Sequence, residues 1–292
     1  MTVHELTSQS HIAIGPRRSL LSASRSALGA LLLRDVVVLK KDWAIFILRT
    51  IVQPFLLCFV FLFVFPKIGQ SVGGSGGATG ESAFATVLVA GVVGISIMFQ
   101  GVQSVALQMS QEFGFTREIE DRVQAPCPIW LVAFEKVISG AVQGLISAAI
   151  VLPIASVVHA KGVSAAISIH WLILLTLVPL ACVAMASLGL VLGTSFEPRN
   201  IGLMFGFVIL PITFLGGTYY QWNRLASVKI GSWHWLQTIV LINPLLYVNE
   251  GMRAAFTDVP HMHLYVIYPV LITFCVAFLL LGLRNFRRRV LT

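Results

Sequence analysis

The 292-residue chain is 57% hydrophobic and only 11% charged, with a mean hydropathy of +0.88, whereas a soluble domain carries about 25% charged residues. That composition excludes an ordinary soluble domain and makes the chain an integral membrane protein, expected to be all-α because its apolar runs are long enough for spanning helices. The net charge of +8 would suit nucleic acid, but the basic residues flank apolar runs and form no stripe interleaved with aromatics, so contact with the lipid bilayer accounts for them and nucleic acid is not expected as a partner.

Residues 1–43 open with a Ser-rich polar stretch that has no apolar core before a cleavage-like site, so a cleaved signal peptide is not expected and the N-terminus is placed in the cytoplasm. Leu20 to Trp43 then reads as an amphipathic helix. Leu28, Leu31, Leu32, Asp35 and Leu39 recur at helical spacing, with Arg25, Arg34, Lys40 and Lys41 as cationic flanks. Such a helix is expected to lie in the membrane interface, where a structural anchor is favoured over a partner-binding role. Residues 44–283 form the transmembrane domain. Six apolar segments reach the roughly 20 residues needed to span: Ala44 to Phe65, Phe84 to Met109, Ile129 to Val158, Ile167 to Thr194, Ile201 to Tyr219 and Leu264 to Leu283. A basic C-terminus, 284–292, follows.

Charge placement orients the bundle. With the N-terminus inside, the inner segments hold Arg17, Arg18, Arg25, Arg34, Lys40, Lys41, Arg117, Arg122, Arg199, Arg284 and Arg287 to Arg289. The outer loops hold only Lys67, Lys161, Arg224, Lys229 and Arg253. Both termini are then cytoplasmic. Counting Val228 to Leu246 as a seventh span would put the arginine cluster outside, so six is the consistent number.

The loop Gly69 to Ser82 is Gly/Ser-rich, and its end faintly resembles a phosphate loop. The pattern fails, because Ser75 stands at the first glycine and Glu81 at the lysine. No nucleotide-binding motif is found, so the chain is not expected to hydrolyse ATP and is not expected to be an enzyme. The next loop, Gln111 to Arg122, is the densest mixed-charge patch in the chain. Within it Glu112, Gly114, Thr116, Arg117, Glu118, Asp121 and Arg122 suit docking to a protein better than gripping lipid.

Inside the spans, Gly140/Gly144, Gly189/Gly193 and Gly202/Gly206 have GxxxG spacing, which favours close helix packing within the bundle. Arg49, Glu135 and Lys136 fall in the first turns of spans, where snorkelling or a local Glu–Lys pair suffices. His170 is read as an interfacial histidine. No proton relay, metal site or paired-carboxylate arrangement emerges, and Cys58, Cys127, Cys182 and Cys275 are read as structural. The segment 219–263 is aromatic-rich, and its run Trp233 to Leu246 is too short to span, which leaves two readings: re-entrant extracellular helices forming a lid between the fifth and sixth spans, or a simple interfacial belt of aromatics.

Three motifs in register resemble the ABC-2 family of transporter permeases, the membrane halves of type V ABC exporters. The first is Glu112-x-Gly114-x-Thr116-Arg117-Glu118 with Asp121-Arg122 and the Pro126-Cys127-Pro128 turn, similar to the family's coupling-helix region at about 112–125. The second is Leu210 to Tyr220, with Phe214, Tyr219 and Tyr220, followed by Gln221 and Trp222 where family members commonly carry a proline. The third is Asn243-Pro244-Leu245-Leu246-Tyr247 with Glu250 and Arg253. The drug-export and nodulation-type branch is the nearest in pattern. The resemblance implies a multi-pass permease of the cytoplasmic (inner) membrane that exports an amphipathic drug, lipid or glycolipid-like substrate. It implies two copies of a separate ABC ATPase subunit, which uses ATP and Mg, and a second copy of this permease or a paralogue. No cofactor is expected on this chain. The coupling residues named above would receive the ATPase stroke, while Phe214, Tyr219, Tyr220, Trp222, Asn243, Pro244, Glu250 and Arg253 would form the extracellular gate. The alternative from another class is an ATP-independent membrane protein, either an ion-coupled carrier or an assembly scaffold.

Overall fold

The computed structural model describes residues 20–68, 77–114, 128–157, 166–228, 230 and 233–291. Among these, all extended regular structure is helical, and six helices are long and apolar enough to cross a membrane. A first helix, α1 (Leu20–Lys41), precedes α2 (Trp43–Val64), α3 (Gly77–Gly114), α4 (Ile129–Val157), α5 (Trp171–Ser195) and α6 (Pro198–Leu215). Two short helices, α7 (Trp235–Ile239) and α8 (Pro244–Phe256), lead into the last span, α9 (Leu264–Leu291).

The central helix is α3, which packs on α2, α4, α5 and α8. Apolar burial does not distinguish lipid from protein inside a membrane, so helices associate through close packing, for which small residues are needed. On α5, Gly189 and Gly193 supply them: a Cβ at Gly189 would lie 2.8 Å from the Val102 carbonyl oxygen, and one at Gly193 2.9 Å from the Ala106 Cα. Gly140 and Gly144 of α4 likewise meet Val105 and Cys182. The third GxxxG pair departs from the expectation of packing within the bundle. Gly202 and Gly206 have nothing within 4 Å, because α6 is the loosely held edge of the bundle.

Several boundaries differ from the sequence reading, each for a local reason. The helix α3 starts inside the expected Gly/Ser loop, and 69–76 of that loop lies outside the described residues. The fourth span begins at Trp171 rather than Ile167. Its preceding residues are extended because the Ser168 and His170 N–H groups donate to the Phe256 and Ala255 carbonyls at 2.9 Å, filling acceptors that a helix C-terminus leaves open. The fifth span stops at Leu215, since Gly216 and Gly217 turn the chain and Gly217 has φ +69°, a conformation natural to glycine. Within α6 a π-helical turn, Phe205–Ile209, directly precedes Pro211; the missing proline N–H and the bulk of the ring displace the turn before it. The last helix runs past Leu283 to Leu291.

The face of α1 with Leu28, Leu31, Leu32, Asp35 and Leu39 is the half-buried one, and it packs on α4.

Candidate functional site

Two clusters of buried charge stand at opposite ends of the bundle. The first is organised by α8. Its N-cap is Asn243, whose Oδ1 accepts from Leu245 N at 2.9 Å while its Nδ2 donates to the Ile212 carbonyl at 2.7 Å. Pro244 occupies the first helical position, where no N–H is needed. Every residue of α8 is buried. At 13 residues, about 20 Å of helix, it is too short to span a core of about 30 Å.

Glu250 and Arg253 lie one turn apart on α8 and are 1% and 0% exposed. Arg253 Nη1 donates to Glu250 Oε1 at 2.8 Å, and Nη2 donates to the carbonyls of Gly217 and Tyr220. Glu250 Oε1 also accepts the Trp222 N–H at 3.0 Å, and Oε2 accepts the Met262 N–H at 2.8 Å. The pair therefore fastens two irregular segments, the 216–222 turn and the approach to α9, to one helix. Burial lowers the pKa of Arg253 from its ordinary value, and the Glu250 charge acts in the opposite sense. Asn249 adds bonds to the Gly216 carbonyl (2.7 Å) and Thr218 Oγ1 (3.0 Å). The turn reaches α3 where Gly91 leaves room, since a Cβ there would lie 2.4 Å from the Thr218 oxygen.

Around this scaffold the aromatic residues form a wall. Tyr219 packs against Phe61 with ring centroids 5.5 Å apart, the Tyr220 hydroxyl donates to the Phe214 carbonyl at 3.2 Å, and Trp222 Nε1 donates to Gln237 O at 3.2 Å. Phe214 itself is 61% exposed. Tyr219, Tyr220, Phe61 and Phe84 line a cavity of about 430 Å³.

At the other end, α3 closes on Glu112, Phe113 and Gly114. The Gly114 backbone lies against Pro198, whose Cβ would be 2.5 Å from a side chain at 114. Phe113 packs edge-on against Phe286 at 5.8 Å and under the Arg289 guanidinium at 4.6 Å. Arg289 Nη1 also donates to the Gly193, Thr194 and Phe196 carbonyls at 3.2, 3.2 and 2.8 Å, satisfying the C-terminus of α5. Lys136 is 1% exposed, with Nζ 3.0 Å from Glu112, 3.7 Å from Asp35 and 3.8 Å from Glu135. Of the two sequence readings, snorkelling is corrected because both residues are buried, while the local Glu135–Lys136 pair is present as one part of a larger arrangement. They sit in an ion cluster that joins α1, α3 and α4, because burial makes an isolated charge too costly.

Of the expected coupling residues, Glu112 and Gly114 end α3, with the Glu112 carboxylate turned inward to Lys136. Thr116, Arg117, Glu118, Asp121 and Arg122 lie outside the described residues. The residues expected to form a gate, Phe214, Tyr219, Tyr220, Trp222, Asn243, Pro244, Glu250 and Arg253, all gather around α8 and the 216–222 turn. Sequence reasoning missed that Glu250 and Arg253 are fully buried; their i, i+3 spacing within an otherwise apolar helix was the available signal.

The ABC-2 type transporter family model matches residues 26–257. The inner membrane transport permease YadH of Escherichia coli K12 is 28% identical over 197 residues, which cover 66% of this chain and 71% of that protein. The YadH of Shigella flexneri matches to the same extent. A family match across most of the chain, on a bundle of six apolar spans, shows that this protein belongs to the ABC-2 type transporter family and is a transmembrane transport permease.

Proposed function

We propose that this chain is the permease subunit of an ATP-driven exporter that moves an amphipathic drug, lipid or glycolipid-like substrate outward across the cytoplasmic membrane. Two copies would pair with two ABC ATPase subunits, which bind and hydrolyse ATP with Mg. The family membership supports the pairing, and the words "inner membrane" in the relatives' names support the location.

The observation that carries the reading is the anchoring at the end of α3. Gly114 against Pro198, Phe113 under Arg289 and Glu112 on Lys136 tie the base of the mixed-charge 115–122 segment to α4, α5, α6 and α9. A force applied to that segment from the cytoplasm reaches the packed helices, because close-packed interiors transmit strain. At the far end, the α8 scaffold and its aromatic wall would serve as the outward gate, with α8 and α7 re-entering from the outer side. The open glycines of α6 leave a smooth face on which a second copy can pack.

The test is reconstitution of the chain with a partner ATPase in liposomes, reading cargo-stimulated ATP hydrolysis. Reversing both charges, Asp121→Arg with Arg122→Asp, should uncouple hydrolysis from cargo while the chain still inserts. Full transport by that double variant, or failure to recruit any ABC ATPase, refutes the reading.

A further inference from the structure

A polar cleft opens between α1, α2, α3 and α4, on the side of the molecule away from the α8 scaffold. It consists of two connected cavities of about 360 and 100 Å³ that share Arg49 and Gln103 in their walls. Asp35 and Asp42 stand in the wider cavity, and Gln53, Ser96 and Ser147 in the narrower one. Asp42 and Gln53 are eleven residues apart, about 16 Å of helix, so the cleft runs halfway into a hydrocarbon core of about 30 Å.

Polar side chains at that depth are costly unless they are paired or meet a polar guest. Here the pairing is loose. The hydroxyls of Thr50 and Ser96 donate to their own helices, to the Phe46 and Val92 carbonyls at 2.8 and 2.7 Å, but between side chains Thr50 Oγ1 reaches Gln100 Oε1 only at 3.5 Å and Gln100 Nε2 reaches Gln143 Oε1 at 3.4 Å, at the long limit for a hydrogen bond. The side-chain amides of Gln53 and Gln103 make no hydrogen bond with any described residue. Arg49 is exposed into the cleft, and among the described residues no carboxylate lies within ion-pair distance of it. Ile45, Arg49, Val52, Gln53 and Leu56 follow the i, i+3, i+4, i+7 spacing of one helix face, and Ile45, Val52 and Leu56 are exposed. The cation and the amide thus sit within an apolar stripe.

We propose that this cleft binds the anionic headgroup of an amphipathic molecule. Arg49 pairs with its phosphate or carboxylate, Gln100 and Gln103 bond its remaining polar atoms, and its tail lies along the exposed α2 stripe past Gln53. Guanidinium matches such oxyanions through paired N–H donors. Asp42, and Asp35 with its charge offset by Lys136, line the outer part of the cleft and repel an anion there, which leaves the inner end beside Arg49 as its seat. As a cargo subsite this rests on the proposed export function; as a binding site it stands without it.

The test uses the full chain, without any ATPase, in phosphatidylcholine nanodiscs, with Gln53→Cys as reporter. Its alkylation by a maleimide is followed by intact mass against the parent chain. Dodecyl phosphate should slow alkylation at least fivefold, while dodecyltrimethylammonium should not. Arg49→Gln should weaken the dodecyl phosphate effect at least tenfold in midpoint concentration, about 1.4 kcal/mol, and Arg49→Lys should retain part of it. Replacing a third of the phosphatidylcholine by phosphatidylglycerol separates the sources: protection by that lipid assigns the site to a bilayer headgroup, and protection by dodecyl phosphate alone assigns it to a mobile amphiphile. Equal protection by the cationic amphiphile, full protection in Arg49→Gln, or a disulfide between two Gln53→Cys chains, which would make the cleft a dimer seam, overturns the proposal. Loss of ATPase recruitment with protection intact would instead remove the export reading alone.

Discussion

Removing Glu250 tests whether the α8 charge pair holds that end of the bundle together. In Glu250→Ala the Arg253 guanidinium, 0% exposed, loses its counter-ion, and breaking a buried pair from one side costs about 3–5 kcal/mol. The Trp222 and Met262 N–H groups lose their acceptor at the same time, and each buried orphan donor costs about 1–3 kcal/mol. These effects share one network and do not add, so the expected loss is about 4–6 kcal/mol. Glu250→Gln retains an acceptor oxygen and the side-chain shape, and should lose about half as much. The reference is Glu197→Ala, which removes the exposed pair of Glu197 with Arg199 (2.8 Å, 60% and 82% exposed) and should change stability by less than about 1 kcal/mol. The assay is denaturant-induced unfolding in mild detergent, followed by tryptophan fluorescence and repeated at high salt. Buried charges are weakly screened, so the Glu250 effect should persist in salt. A Glu250→Ala loss no larger than that of Glu197→Ala would refute the staple.

Lys136→Met should leave the Asp35, Glu112 and Glu135 carboxylates crowded together without their cation and cost about 3–5 kcal/mol; faster protease cleavage within α1 is the readout, and unchanged protection would count against the cluster as the tie between α1 and α4. Gly94→Ala places a Cβ 2.0 Å from Asn249 Oδ1 and should lower the melting temperature, whereas Gly206→Ala, with open space around it, should hold or raise it because alanine favours helix by about 1 kcal/mol. Tyr219→Ala, Tyr220→Ala and Trp222→Ala should each reduce export by the reconstituted complex more than they reduce its assembly, measured by transport and co-purification; equal loss of both points to a folding role.

The six spans were legible because about 20 consecutive apolar residues admit few other readings. Asn243-Pro244 entered the sequence reading only as part of a family motif, and its role as a helix start was missed although the signal is local. What was not legible was partnership across the sequence. Nothing local to Lys136 announces Asp35, 101 residues away, or Glu112, and nothing near Glu250 announces Met262. Ends of helices were misjudged where distant backbone groups decided them, as at Trp171. The family's proline after the aromatic pair shows the same limit. Trp222 spends its own backbone N–H on Glu250, a bond that proline at 222 would forbid, and only the fold reveals this use.

The full burial of α8 has a consequence for the order of biogenesis. A 13-residue helix carrying a glutamate and an arginine cannot enter the bilayer as a span in its own right, and in lipid each of its charges would stand without a partner. Among the described residues its seat is formed by α3, α5, α9 and the turn after α6, so those elements are expected to be in place first. Then α8 docks as a keystone, and the lock between Glu250, Arg253 and the 216–222 turn closes in one step. A chain arrested before that step would carry all its spans and still lack the closed α8 end of the bundle.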